Sequence, residues 1–183
     1  ESRSLRKCLS RAKKLADKIY ITDTGSTDDT VKIAEEFGAC ISTYEWKNDF
    51  AAARNYALEQ SDCDWNLILD ADEYLVSGNK RDLVRFAEKG GSTGAIRRYD
   101  SYREDNGEIS QSCMYTTRFV PKGTFYEGRV HEQIVSDLPI KPLPLVFEHD
   151  GYLQGGKGER NLEILLEELE EKPDDAYILY QVS

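Results

Sequence analysis

The run Trp65-Asn66-Leu67-Ile68-Leu69-Asp70-Ala71-Asp72-Glu73 decides the reading of this chain. A strand-like apolar stretch empties into three acids within four positions. Open α/β sheets bind their ligands beyond the carboxyl ends of their strands, so acids at such an end are candidates for chemistry. If the strand geometry continues, Asp70 and Asp72 point to one face. Two carboxylates about 5–6 Å apart repel by roughly 3 kcal/mol at an effective dielectric of about 20. A divalent cation offsets that cost, and hard oxygen ligands suit Mg²⁺ or Mn²⁺. An exposed turn whose charges are screened by water is the plainer alternative, and the D-x-D spacing alone does not separate the two. Its place at the end of the most apolar strand favours function.

Upstream, the pattern alternates. Leu5, Cys8, Leu9, Ala12, Leu15 and Ala16 recur at helical spacing. Ile19-Tyr20-Ile21-Thr22 is a short strand ending in Asp23-Thr24-Gly25-Ser26-Thr27-Asp28. A helix follows with Val31, Ala34 and Phe37 inward and Gly38 as its stop; Ser26-x-x-Asp29 resembles a capping box at its start. Residues 40–44 form another strand, and Asn48 or Asp49 caps a helix through about Glu59. The order helix, strand, helix, strand, helix, strand favours an α/β domain with a largely parallel sheet. The chain opens on a helix where such a sheet usually opens on a strand, which reads as an N-terminally shortened form.

Downstream, a helix over 81–89 is followed by β-like runs at 95–99, 114–120, 129–135 and 145–149. These read as mixed or antiparallel strands that complete the sheet and line the site. Gly155-Gly156-Lys157-Gly158 is a flexible break. Residues 161–171 form an acidic amphipathic helix, and Pro173-Asp174-Asp175 caps a second one. One such helical pair does not establish a repeat.

Composition narrows the function. The chain has 183 residues, 39% hydrophobic and 32% charged, enough for one folded domain and a short appendage. No apolar run is long enough to span a membrane, and no apolar leader precedes residue 18. A net charge of −10 argues against nucleic acid as a partner. The four cysteines show neither C-x-x-C nor zinc spacing and read as small buried thiols in a reducing cytoplasm. Neither a G-x-G-x-x-G nor a P-loop is present. The helix after Asp23 begins with Asp28 and Asp29, a poor phosphate cradle.

Other positions carry candidate roles. Asp23 either accepts hydrogen bonds from a base or ribose or simply orients its turn. An acidic protein handling an anionic substrate must neutralise charge locally; Arg54, Lys157 and Arg160 are the cations at hand. His131 and His149 are the only histidines. Each is by itself more often structural, although His149 lies where a return to a metal is plausible. Glu132 is placed to take a proton from an attacking hydroxyl or is a surface strand charge.

Three segments in this order, Ile21 to Asp28, Phe50-Ala51-Ala52-Ala53-Arg54-Asn55 and Leu69 to Glu73, resemble the family 2 glycosyltransferases. Glu127-Gly128-Arg129-Val130-His131-Glu132 and Lys157…Arg160-Asn161-Leu162 look like its bacterial branch with C-terminal tetratricopeptide-like helices. The similarity runs over about residues 1 to 175. It implies a GT-A fold, a Rossmann-like mixed sheet flanked by helices with a short C-terminal helical tail. It also implies a nucleotide-sugar donor, most often a uridine diphosphate sugar, and Mg²⁺ or Mn²⁺. By that resemblance Asp23 contacts the base or ribose and Arg54 the nucleotide. Asp70 lies near ribose and metal, Asp72 ligates the metal, and His149 supplies a late ligand. Glu132 matches the base, although its motif lacks the usual Glu-Asp pair. The strand that normally opens the family is missing.

The resulting expectation is a metal-dependent, inverting glycosyltransferase acting in the cytoplasm. It has a GT-A domain over 1–155 and a helical tail over 156–183 that resembles the start of a tetratricopeptide-like repeat. Asp23, Arg54, Asp70, Lys157 and Arg160 are expected at the nucleotide sugar, Asp70, Asp72 and His149 at the metal, and Glu132 as base. The acceptor, whether glycan, lipid or peptide, and the oligomeric state are not read from the residues. A sugar-phosphate nucleotidyltransferase and a non-catalytic nucleotide-sugar-binding module are the rivals. The first usually carries a Gly-rich basic N-terminal loop, which is not seen here. The second predicts no metal-linked nucleotide binding.

Overall fold

The computed structural model describes residues 2–104, 106–154 and 157–182; the side chains of Gln154, Lys157 and Glu159 lie outside the described set. The N-terminal half follows the expected order: α1 (Ser2–Ala12), β1 (Tyr20–Asp23), α2 (Thr30–Glu36), β2 (Cys40–Thr43), α3 (Phe50–Glu59) and β3 (Trp65–Leu67). Then come β4 (Glu73–Ser77), α4 (Lys80–Lys89), β5 (Thr93–Arg103), β6 (Ile109–Pro121), β7 (Phe125–Glu127), β8 (Gln133–Val135) and β9 (Ile140–His149). A 3-10 turn (Gly151–Gln154), α5 (Lys157–Glu171) and α6 (Ala176–Val182) end the chain.

β1 and β2 pair in parallel, Tyr20 with Cys40 through Asp23 with Thr43. The largely parallel sheet stops there. β3 pairs antiparallel with β6, and the larger sheet runs β3-β6-β5-β9-β4 with β5 and β9 its parallel pair. The reason lies in the long β5–β6 hairpin, whose outer strand offers β3 an edge. Trp65 stacks on Phe119 of that strand with ring centroids 4.9 Å apart, and Phe86 of α4 meets both rings. Leu75, Ile96, Phe119, Leu143, Leu145 and Phe147 form the core beneath α4, together with Leu15 and Leu83.

Local chemistry sets the helix ends. Asp49 caps α3 by accepting from the Ala52 amide at 2.8 Å, and Asn79 and Asp82 form a reciprocal capping box on α4. The box expected from Ser26 and Asp29 does not form. Asp29 makes no side-chain cap bond, and Asp28 instead accepts from the Thr30 amide at 3.0 Å. Gly38 ends α2 at φ 70°, where a side chain would be strained. The run at 129–135 is a strand only over its last three residues; the rest is a loop that follows Gly128 at φ 91° and contains His131 at φ 55°.

The tail helices are docked rather than appended. Val130, Ile164, Leu165 and Ile178 form a small core flanked by Trp46 and Phe50. The Glu168 carboxylate accepts from the Arg129 amide at 3.1 Å, and Tyr177 donates its hydroxyl proton to the His131 carbonyl at 3.2 Å. The loop that carries Glu132 is therefore held from two sides, because Phe50 at the start of α3 donates to the Arg129 carbonyl at 2.9 Å.

The cysteines correct another expectation. Only Cys8 is buried; Cys63 is half-buried, and Cys40 and Cys113 are exposed. Burial, with Glu73, Asp70 and Asp72 nearby, pushes the Cys8 thiol up to about 12. Alkylation of the folded protein at pH 8 is expected to label Cys40 and Cys113 quickly, Cys63 more slowly and Cys8 only after unfolding. Peptide mass mapping reads this directly, and rapid labelling of Cys8 would contradict the packing of α1.

Candidate active site

The acid run after β3 does not continue as a strand. The chain turns, with the Glu73 amide donating to the Asp70 carbonyl at 3.0 Å, and restarts as β4 paired to β9, Glu73 opposite His149. Asp70 and Asp72 therefore do not share a strand face. Each has its own partners, and the expected repulsion is offset differently at each.

Asp70 lies between two guanidiniums. Arg54 Nη2 donates to its Oδ1 and Arg118 Nη2 to its Oδ2, both at 2.7 Å. Burial alone would push this carboxyl up, but Arg118 and Arg54 hold it well below the usual carboxylate range. Arg54 also donates through Nε to Glu132 Oε1. Glu132 Oε2 has no donor among the described residues. One half-buried arginine thus ties α3, the turn after β3 and the Glu132 loop together. Its guanidinium also lies 5.6 Å from the centre of the Tyr126 ring. The neighbouring Asn55 has a structural role, its side chain pairing with both the amide and the carbonyl of Tyr126 in β7.

Asp72 faces His149. Asp72 Oδ1 lies 3.4 Å from His149 Nε2, while His149 Nδ1 pairs with Asp100 Oδ1 at 2.8 Å. Burial lowers the imidazole's proton affinity, but the hydrogen bonds it donates to the Asp100 and Asp72 carboxylates outweigh this and raise His149 to about 9. The ring edge of Tyr152 closes this side at 4.9 Å between centroids.

Between these two ends runs a chain of alternating charge. Arg118 reaches Glu73 Oε1 at 2.5 Å, Arg98 Nη1 reaches the same oxygen at 2.9 Å, and Arg98 Nε lies 2.7 Å from Asp100. The links are Glu132, Arg54, Asp70, Arg118, Glu73, Arg98, Asp100, His149 and Asp72. Arg98, Arg118 and Asp100 had not been singled out in the sequence. A signal was present, because Ile96, Arg98 and Asp100 alternate on one strand face and that face is buried. Arg118 stands immediately before the buried pair Phe119-Val120, an unusual place for a charge with no partner.

The other expected positions are more scattered. Asp23 turns back on its own loop, accepting from the amides of Gly25 and Ser26 at 3.2 Å, the turn-orienting role. Arg160 is exposed on α5, 5.0 Å from the Phe50 ring centre and paired with Asn161. The Lys157 side chain lies outside the described residues. Among the described residues no group of three or more His, Cys, Asp and Glu side chains is arranged to hold a metal ion. Of the expected metal set, Asp72 and His149 stand together and Asp70 is taken up by arginines. No described helix is long and apolar enough to cross a membrane.

The sequence matches the Glycosyl transferase family 2 profile over residues 1–138. The chain belongs to glycosyl transferase family 2. A TPR repeat-containing protein of Synechococcus elongatus is 30% identical over 97% of this chain and 48% of its own length. The SPbeta prophage-derived glycosyltransferase SunS of Bacillus subtilis is 29% identical over 98% of this chain and 45% of its own. The chain thus spans about half the length of the curated relatives it matches. Among solved structures, residues 1–349 of S. aureus TarS superpose with a TM-score of 0.53 at 15% identity, covering 98% of this chain and 66% of that one. TarS in complex with UDP gives 0.52 at 15% identity over 97% and 65%. The family 2 domain has the GT-A fold of these neighbours, an α/β arrangement around a mixed sheet.

Proposed function

We propose that this family 2 domain transfers a sugar from a uridine diphosphate sugar to an acceptor nucleophile with inversion at the anomeric carbon. The observation that carries the reading is the Arg54 bridge: one guanidinium holds both Glu132 and Asp70, which supports reading them as the base and the donor end of one site. That a structural neighbour was solved with UDP supports the choice of nucleotide.

The chain's residues then divide the work. Glu132, steadied by Arg54 at Oε1, takes the acceptor's proton at Oε2. The acceptor's lone pair forms the new bond to the anomeric carbon as the bond to the diphosphate oxygen breaks. A single displacement from the opposite face inverts the centre, and UDP leaves with the bonding pair. Asp72 and His149 would hold Mg²⁺ or Mn²⁺. In this structure the two side chains face each other as an imidazole–carboxylate pair, 3.4 Å apart, and a cation bound there would displace the imidazole proton. When bound, the cation offsets the charge that develops on the departing diphosphate. Asp23 and Arg160 are proposed at the nucleotide sugar, and Lys157 shares that assignment from its sequence position.

The test is Glu132→Gln, which keeps the shape and removes the base. Sugar release from a panel of UDP-sugars, to water or acceptor, is expected to fall about 10²- to 10⁴-fold. UDP affinity is expected to stay within threefold of the parent. Proton NMR of the first product should show the opposite anomer to the donor. A variant that turns over at the parent rate removes Glu132 from the mechanism.

A further inference from the structure

Glu73 is the one member of the acid run that is fully buried. It opens β4, and its side chain lies among the strands. Three donors converge on it. Arg98 Nη1 and Arg118 Nη2 both donate to Oε1, and the Asp70 amide donates to Oε2 at 3.1 Å. Each donor leads to a residue of the site. Arg118 also holds Asp70, and the amide fixes the turn that presents Asp72. Arg98 clasps Asp100, which in turn accepts from His149 Nδ1 and sets how that ring presents Nε2 to Asp72.

Stability alone does not call for this arrangement. Replacing buried ion pairs with apolar residues of similar volume is often neutral or stabilising, and their best-attested use is to specify one geometry. In metal sites, partners behind a ligand orient it, and their loss typically weakens metal binding 10- to 100-fold. We propose that Glu73 is a positioning residue. It fixes the Asp70–Asp72 turn through Arg118 and a main-chain bond, and His149 through Arg98 and Asp100, so that Asp72 and His149 stay facing each other where a divalent cation would bind with the donor diphosphate. This rests on the site reading given above.

The experiment is calorimetric titration of UDP, in Mn²⁺ and in EDTA, into the parent and into Glu73→Gln. The variant keeps the side chain's shape and removes its charge. The Mn²⁺-dependent gain in UDP affinity is expected to fall at least tenfold in the variant, while affinity in EDTA stays within threefold and far-UV circular dichroism is unchanged. A purely structural Glu73 would lower the melting temperature and leave the Mn²⁺-dependent gain at the parent value, and that result overturns the proposal. If Glu73→Gln does not fold, the double variant Glu73→Gln/Arg118→Gln removes one charge of each sign. It is expected to fold and show the same loss of the gain; folding with the gain intact is again contrary. A parent that shows no Mn²⁺-dependent gain refutes the metal reading of the site itself, and the positioning role with it.

Discussion

Arg118→Met is expected to lower the unfolding free energy by about 3–5 kcal/mol at neutral pH. The Arg118 side chain is 6% exposed and pairs with Glu73, which is 0% exposed, and with Asp70 at 35%. Methionine fills much of the same volume, so the cost arises from the two carboxylates left behind. Removing one partner of a buried pair strands the other's charge, which costs more than the pair contributed net. The pH dependence carries the same signature. In the parent, Asp70 is held below its unfolded value, so the unfolded chain binds more protons as the pH falls. That contribution is complete above about pH 4 and fades below it. In the variant the largest lowering influence is gone, and protonation relieves the stranded charge. The gap between parent and variant should therefore be widest at pH 7 and narrow below about pH 4. Urea unfolding at the two pH values measures it. A difference under about 1 kcal/mol at pH 7 would mean that the network does not carry its charges as a unit.

Asp72→Ala should act on turnover and leave the fold standing. Asp72 is 16% exposed and sits at the end of the charge chain, 3.4 Å from His149 Nε2. When it is lost, His149 keeps its other carboxylate partner, Asp100. If a cation there stabilises the departing diphosphate by several kcal/mol, UDP-sugar turnover falls at least about a hundredfold, since each 1.36 kcal/mol is a factor of ten. The unfolding free energy should change by less than in Arg118→Met, because His149 keeps its 2.8 Å contact with Asp100. Released UDP, measured at saturating Mn²⁺, reads the first expectation and urea unfolding the second. Turnover at the parent rate removes Asp72 from the metal role.

Local pattern made the N-terminal half readable. Helical spacing in Leu5, Cys8 and Leu9, the short apolar run before Asp23 and the run before Asp70 gave the observed order of elements. The acid cluster marked the turn between β3 and β4. Its internal arrangement was hidden, because it depends on partners distant in sequence. Arg118 lies 48 residues from Asp70, and Glu132 lies 78 from Arg54. Pairs so far apart leave no periodicity. The break between β3 and β4 was invisible for a similar reason, since Glu73 becomes strand through its pairing with His149 on β9. The tail was read correctly as two helices. Its hold on the Glu132 loop could not be read, because the buried Glu168 looks like any other glutamate of an acidic helix.

The most direct measurement of the central claim is UDP binding to the unmodified protein by calorimetry, once with Mn²⁺ and once with EDTA. The account predicts saturable binding that is at least tenfold tighter with Mn²⁺, and loss of that difference in Asp72→Ala. Equal affinity in the two buffers, or a difference that survives in Asp72→Ala, would contradict it.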